Sequence, residues 1–187
     1  MLSGKNIVLG VSGGIAAYKA ADIINRLRAL GANVDVIMTK NALEFITPLT
    51  LASLSKNRVV TDMFEPPVSW EIEHISLARK ADLFLIAPAT ANVIGKIANG
   101  IADDMLTTTV MATKAPVVIA PAMNDYMYEN PIVQENISRL QKFGYKFVEP
   151  DEGYLACGTT GKGKLAKPEA IVEFVASVLT ETDKKTL

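Results

Sequence analysis

Asn6–Gly14, read NIVLGVSGG, is an apolar, β-branched run that stops on Ser12-Gly13-Gly14 and feeds a helical stretch, Ile15–Leu30. A run this short, bounded by turn residues, reads as a buried strand. In the stretch that follows, Ile23, Leu27 and Leu30 share one helical face, Arg26 and Arg28 turn away, and Gly31 closes it. Strand, glycine turn and helix make the first half of a βαβ unit, and the pattern recurs. Val34–Met38, Leu83–Ala87, Val117–Ala120 and Tyr145–Val148 are further strands, with a weaker candidate at Arg58–Thr61. Among the helical stretches between them, Pro131–Phe143 sets Ile132, Ile137 and Leu140 against Gln134, Glu135 and Arg139 before Gly144. Near-continuous apolar strands imply burial on both faces, as in a parallel sheet. The sequence therefore predicts an α/β fold: a Rossmann-like, doubly wound, mostly parallel sheet with helices on both faces. Glu65–Ser69 reads as a loop, Gly-rich Tyr154–Lys164 as a second, more mobile one. Residues 1–180 read as one domain and Thr180–Leu187 as a polar tail or linker stub.

Composition removes several classes of function. With 19 basic and 20 acidic side chains in 187 residues, net charge −1, there is no electrostatic footprint for nucleic acid. The chain is 49% hydrophobic, which excludes disorder, yet no apolar run is long enough to cross a bilayer. One Cys and one His exclude an internal disulfide framework and leave little scope for a metal site. The N-terminus carries no signal-peptide pattern, so a cytoplasmic location is expected.

In open α/β sheets ligands bind beyond the carboxyl ends of the strands. Small or polar segments stand at those ends here: Ser12-Gly13-Gly14, Met38-Thr39-Lys40-Asn41, Pro88-Ala89-Thr90-Ala91-Asn92 and Pro121-Ala122-Met123-Asn124. Gly13 and Gly14 suit a phosphate at a helix N-terminus, or simply a tight turn. The dinucleotide spacing GxGxxG and the P-loop are both absent. Uncharged Thr90 and Asn92 suit a neutral heterocycle, which favours a mononucleotide such as FMN over NAD or ATP. His74 and Cys157 are either inert or chemically active, and Asn124 either caps a helix or touches substrate. Met123 and Met127 read as packing residues, and Asp103-Asp104 as a helix N-terminus.

Taken in order, SGGIAAYK (12–19), HISL (74–77), PATANV (88–93), PAMNDYMY (121–128) and ACGTTGKGK (156–164) resemble the homo-oligomeric flavin-containing cysteine decarboxylases, specifically their phosphopantothenoylcysteine decarboxylase branch. The resemblance implies FMN as cofactor and, in coenzyme A biosynthesis, oxidative decarboxylation of 4′-phospho-N-pantothenoylcysteine to 4′-phosphopantetheine. It implies His74 as base, Cys157 as acid, and Asn124 on the departing carboxylate. Tyr154, Leu155 and Ala156 would close over this small-molecule substrate. Gly13, Gly14, Ile15, Thr39, Thr90, Asn92 and Ala122 would hold the flavin. Val93, Tyr128 and Lys164 depart from residues usual in the family, and Lys162 or Lys164 is expected at the substrate phosphate. The family implies a homotrimer, or a dodecamer of four trimers, with flavin near the subunit interface. A fused or separate phosphopantothenoylcysteine synthetase is an expected partner; nucleic acid and membrane are not. Alternatives are a peptidyl-cysteine decarboxylase and a non-catalytic flavin-binding regulator.

Overall fold

The computed structural model describes residues 2–64, 72–154, 156, 158 and 160–186. In chain order it contains β1 (Asn6–Val11), a 3-10 turn (Ile15–Lys19), α1 (Ala20–Ala29), β2 (Asn33–Met38), a second 3-10 turn (Lys40–Glu44), α2 (Pro48–Ser55) and β3 (Val59–Val60). Then follow α3 (Glu73–Lys80), β4 (Leu83–Ala89), α4 (Ala91–Ala98), α5 (Met105–Ala112), β5 (Val117–Pro121), α6 (Asp125–Glu129), α7 (Pro131–Lys142) and β6 (Lys146–Phe147). A hairpin, β7 (Asp151–Tyr154) and β8 (Thr160–Lys164), precedes α8 (Pro168–Thr186). The main sheet has six strands in the order β3-β2-β1-β4-β5-β6, all pairs parallel. That is the doubly wound arrangement, and its switch point lies between β1 and β4.

The two-residue period of the strands divides the interior into two cores. Ile7, Leu9 and Val11 of β1 and Leu83, Leu85 and Ala87 of β4 face Ile23 and Leu27 of α1, Leu51 of α2 and Val175 of α8. Val8, Phe84 and Ile86 face the other way, onto Leu77 of α3, Val93 and Ile94 of α4, Leu106 of α5 and Leu140 of α7. One polar residue obeys the same alternation. Asp35, between core residues Val34 and Val36, is buried and meets Lys80 of α3 at 2.6 Å. Among the described residues no helix is long and apolar enough to cross a membrane.

Several local expectations are corrected. Ile15–Leu30 is not one helix: Gly14 is fully extended and the first turn is 3-10, so α1 begins at Ala20. Leu30 and Ile132 are exposed, because each sits in or beyond the terminal turn of its helix, past the packed stretch. Tyr154–Lys164 supplies the end of β7 and all of β8, since pairing gives this Gly-rich segment a partner for its backbone. Thr180–Leu187 is no tail through Thr186, as α8 continues that far. The Glu65–Ser69 loop lies outside the described residues.

Candidate functional site

Beyond the carboxyl ends of β1, β2, β4 and β5 lies a cleft of about 470 Å³. Its floor is laced at the switch point by Ser12, which is buried. The Ser12 hydroxyl donates to the Pro88 carbonyl at 2.8 Å and accepts the Thr90 amide at 3.0 Å. Gly13, Gly14, Thr39, Thr90, Asn92 and Ala122, all anticipated from sequence, line this cleft. Lys40, Asn41, Lys96, Asp104 and Met127 line it as well. Met127 is thus a wall residue and half exposed, not buried packing. Lys96 is held by Asp103 at 2.7 Å and Asp104 at 3.3 Å, and the Asp103 hydrogen bond raises its pKa above the ordinary lysine value. Asp104 caps α5, its carboxylate accepting the Thr107 amide at 2.8 Å in a full capping box.

Two features show what this cleft fits. The Thr39 hydroxyl is buried with no hydrogen-bond partner among the described residues, a group that calls for a polar ligand atom. A Cβ added to Gly14 would meet only Thr90 Cγ2, at 3.8 Å, so glycine here keeps open space that a side chain would fill. Thr90 also caps α4, whose N-terminus favours a phosphate. Uncharged Ser, Thr and Asn groups, a helix N-terminus and two lysines form the donor set of a mononucleotide site.

A second cleft of about 370 Å³ adjoins the first, and Gly14, Ala122 and Met123 line both. Asn124, Tyr154 and Ala156 line it as anticipated, together with Tyr18, Lys19, Lys164 and Leu165. Ile15, expected on the cofactor, belongs to this second cleft, because the 3-10 turn carries it past the first. Asn124 caps α6: its carbonyl oxygen accepts the Met127 amide at 3.4 Å, and its amide donates to buried Asp125 at 2.7 Å. The hairpin closes one side by docking its backbone on the same loop. The Met123 amide donates to the Gly163 carbonyl at 2.9 Å. Gly163 has φ +151°, and a Cβ there would strike the Met123 carbonyl oxygen, so only glycine permits this approach.

Lys162 is diverted from the cleft. It meets Glu149 at 2.7 Å, lies 5.6 Å over the Tyr128 ring, and has its pKa raised first by the Glu149 hydrogen bond. His74 stands half-buried in the first turn of α3 and lines neither cleft. Leu155 and Cys157 lie outside the described residues. Of the three family departures, Val93 and Tyr128 are buried, and Lys164 lines the second cleft.

A doubly wound sheet with a phosphate-and-heterocycle cleft at its switch point, opening beside a second cleft, defines a mononucleotide-binding α/β protein. Residues 1–180 match the flavoprotein family, and the chain belongs to it. It is 56% identical over 181 residues to the coenzyme A biosynthesis bifunctional protein CoaBC of Bacillus subtilis, covering 97% of this chain and 45% of that one. The chain thus spans somewhat under half the length of that relative. A probable phosphopantothenoylcysteine decarboxylase of Streptococcus mutans is 49% identical over 177 residues, 94% of this chain and 99% of that one. A solved PPC decarboxylase mutant complexed with pantothenoylaminoethenethiol superposes with a TM-score of 0.81 at 31% identity, over 92% and 96% of the two chains. Other solved chains of this fold include the FMN-dependent cysteine decarboxylase SpaF and the FMN-binding protein AtHal3.

Proposed function

We propose that this chain binds FMN in the first cleft and 4′-phospho-N-pantothenoylcysteine in the second, and decarboxylates the substrate to 4′-phosphopantetheine for cytoplasmic coenzyme A biosynthesis. The observation that carries the reading is the shared wall: Gly14, Ala122 and Met123 belong to both clefts, so groups bound in the two are neighbours. FMN, when bound, would supply reversible two-electron redox chemistry, so that the overall reaction is redox neutral. Gly13, Gly14, Thr39, Thr90, Asn92 and Ala122 hold it, Thr39 gaining the partner its hydroxyl lacks. Asn124 hydrogen-bonds the departing carboxylate and fixes the Cα–CO₂ bond, with Asp125 anchoring the amide at 2.7 Å. Tyr154, Leu155 and Ala156 cover the substrate. His74 removes a proton from it, and Cys157 donates one to the enethiolate that remains after CO₂ has left.

Because His74 lines neither cleft of a single chain, the reading requires a homo-oligomer, a trimer or a dodecamer, that brings His74 of one subunit to a neighbour's cleft. The synthetase that makes the substrate acts beside it, fused or separate. The test is product mass and CO₂ release from the purified yellow protein given phosphopantothenoylcysteine or a peptide ending in Cys. Turnover of the first substrate is expected, with His74→Asn abolishing CO₂ release while flavin stays bound. Absence of bound flavin, or turnover of the peptide alone, overturns the reading.

A further inference from the structure

We propose that Lys19 and Lys164 together form the subsite for the substrate's phosphate monoester, separate from whatever holds the cofactor's phosphate; this rests on the function proposed above. Lys19 ends the 3-10 turn after β1 and Lys164 ends β8, so two elements distant in sequence bring an ammonium group each to the second cleft. The described lining of that cleft contains no carboxylate. Neither lysine forms an ion pair among the described residues; Lys19 Nζ has only the Leu165 carbonyl, at 3.5 Å. The acids nearest in effect are Asp151 and Glu169. Glu169 is held by Arg26, and Asp151 sits opposite Lys164 in the hairpin register without an ion pair among the described residues.

Both cations thus line one cleft with no ion pair of their own among the described residues, and the charges of Asp151 and Glu169 each offset only part of that of Lys164 at Lys19. Burial, then the charge of Lys164, pulls the Lys19 pKa below its ordinary value. A phosphate monoester, carrying about −1.5 to −2 charges at neutral pH, matches the pair. Ile15, Tyr18 and Leu165 line the same cleft and offer apolar surface to the uncharged chain of the substrate. Of the two lysines expected near this phosphate, Lys162 is paired with Glu149 and is not among the residues lining the cleft, so the proposal puts Lys19 beside Lys164.

The experiment is calorimetric titration of the FMN-containing protein with 4′-phosphopantetheine and with pantetheine. The unmodified protein is expected to prefer the phosphorylated ligand by roughly 10- to 100-fold, the range of charge-assisted hydrogen bonds. Lys19→Gln and Lys164→Gln should each cut that ratio by roughly tenfold, whereas Lys162→Gln should leave it. A ratio near one in the unmodified protein, a ratio unmoved in both variants, or one moved only by Lys162→Gln overturns the proposal. So does a loss of retained FMN, read from visible absorbance, with the ratio intact, because the pair would then serve the cofactor's phosphate. The titration reads binding rather than turnover. A lysine-dependent preference in a protein that releases no CO₂ would keep this subsite and refute the proposed reaction.

Discussion

Ser12→Ala tests whether the switch point is held together by a single side chain. The hydroxyl is 1% exposed and spans the ends of β1 and β4, donating to the Pro88 carbonyl at 2.8 Å and accepting the Thr90 amide at 3.0 Å. Pro88 is not orphaned by the change, because its carbonyl also accepts the Ser12 amide at 3.2 Å. Thr90 loses the partner of its amide. Leaving one buried donor unsatisfied costs about 1–3 kcal/mol, and Thr90 is only half-buried, so about 1–2 kcal/mol is expected. For a chain of this size that corresponds to a fall in Tm of about 2–8 °C. Both turns joined by Ser12 also line the first cleft, so on the proposed function FMN binding should weaken too, by at most roughly 30-fold if the whole cost falls on the bound state. Thermal unfolding of the apoprotein by circular dichroism measures the first effect, and quenching of flavin fluorescence the second. Ser177→Ala is the control, since its exposed hydroxyl donates within α8, to the Phe174 carbonyl at 2.7 Å. A Ser12→Ala protein within about 1 °C of the control, with unchanged FMN affinity, would refute the reasoning.

Gly163→Ala should lift the hairpin off Met123, at about 1–3 kcal/mol of stability, and raise the substrate KM while flavin content holds; steady-state kinetics with a visible spectrum check both. Asp104→Ala removes the α5 cap and one partner of Lys96, and should lower stability by about 1 kcal/mol in urea unfolding. Lys19 bears on pH. Its folded pKa lies below the 10.5 of an ordinary lysine. Between the two values the unfolded chain binds more protons, so stability rises with pH in that window, and Lys19→Met should abolish the rise. Over the same window the preference for a phosphorylated ligand should fade, which titration at neutral and alkaline pH will reveal.

The sheet was legible because its strands bury both faces. Apolar runs such as Val34–Met38 and Leu83–Ala87 lie within strands of the structure, and Gly31 and Gly144 stand just past helix ends with positive φ. The first cleft was legible for the same reason, since strand ends fix where turns converge. The hairpin was not. Gly161 and Gly163 carry no strand propensity, and their conformation is set by contact with Asp125 and Met123, far away in sequence. The place of Lys19 in the second cleft is not legible in the sequence, because it stands at the polar end of a helical pattern, where a lysine is ordinarily solvated. The spacing of Met127 from Met123 matches a packed helix face, whereas α6 turns it toward the cleft.

If FMN fills the first cleft as proposed, Thr39 would link cofactor supply to the amount of folded protein. A buried hydroxyl without a partner is a deficit that the folded chain carries until a ligand reaches it. A ligand that binds only the folded chain at a hundred times its Kd adds about 2.7 kcal/mol of stability. A cell short of flavin would then hold less of this protein, not merely less active protein. Its steady-state abundance would report on the flavin pool.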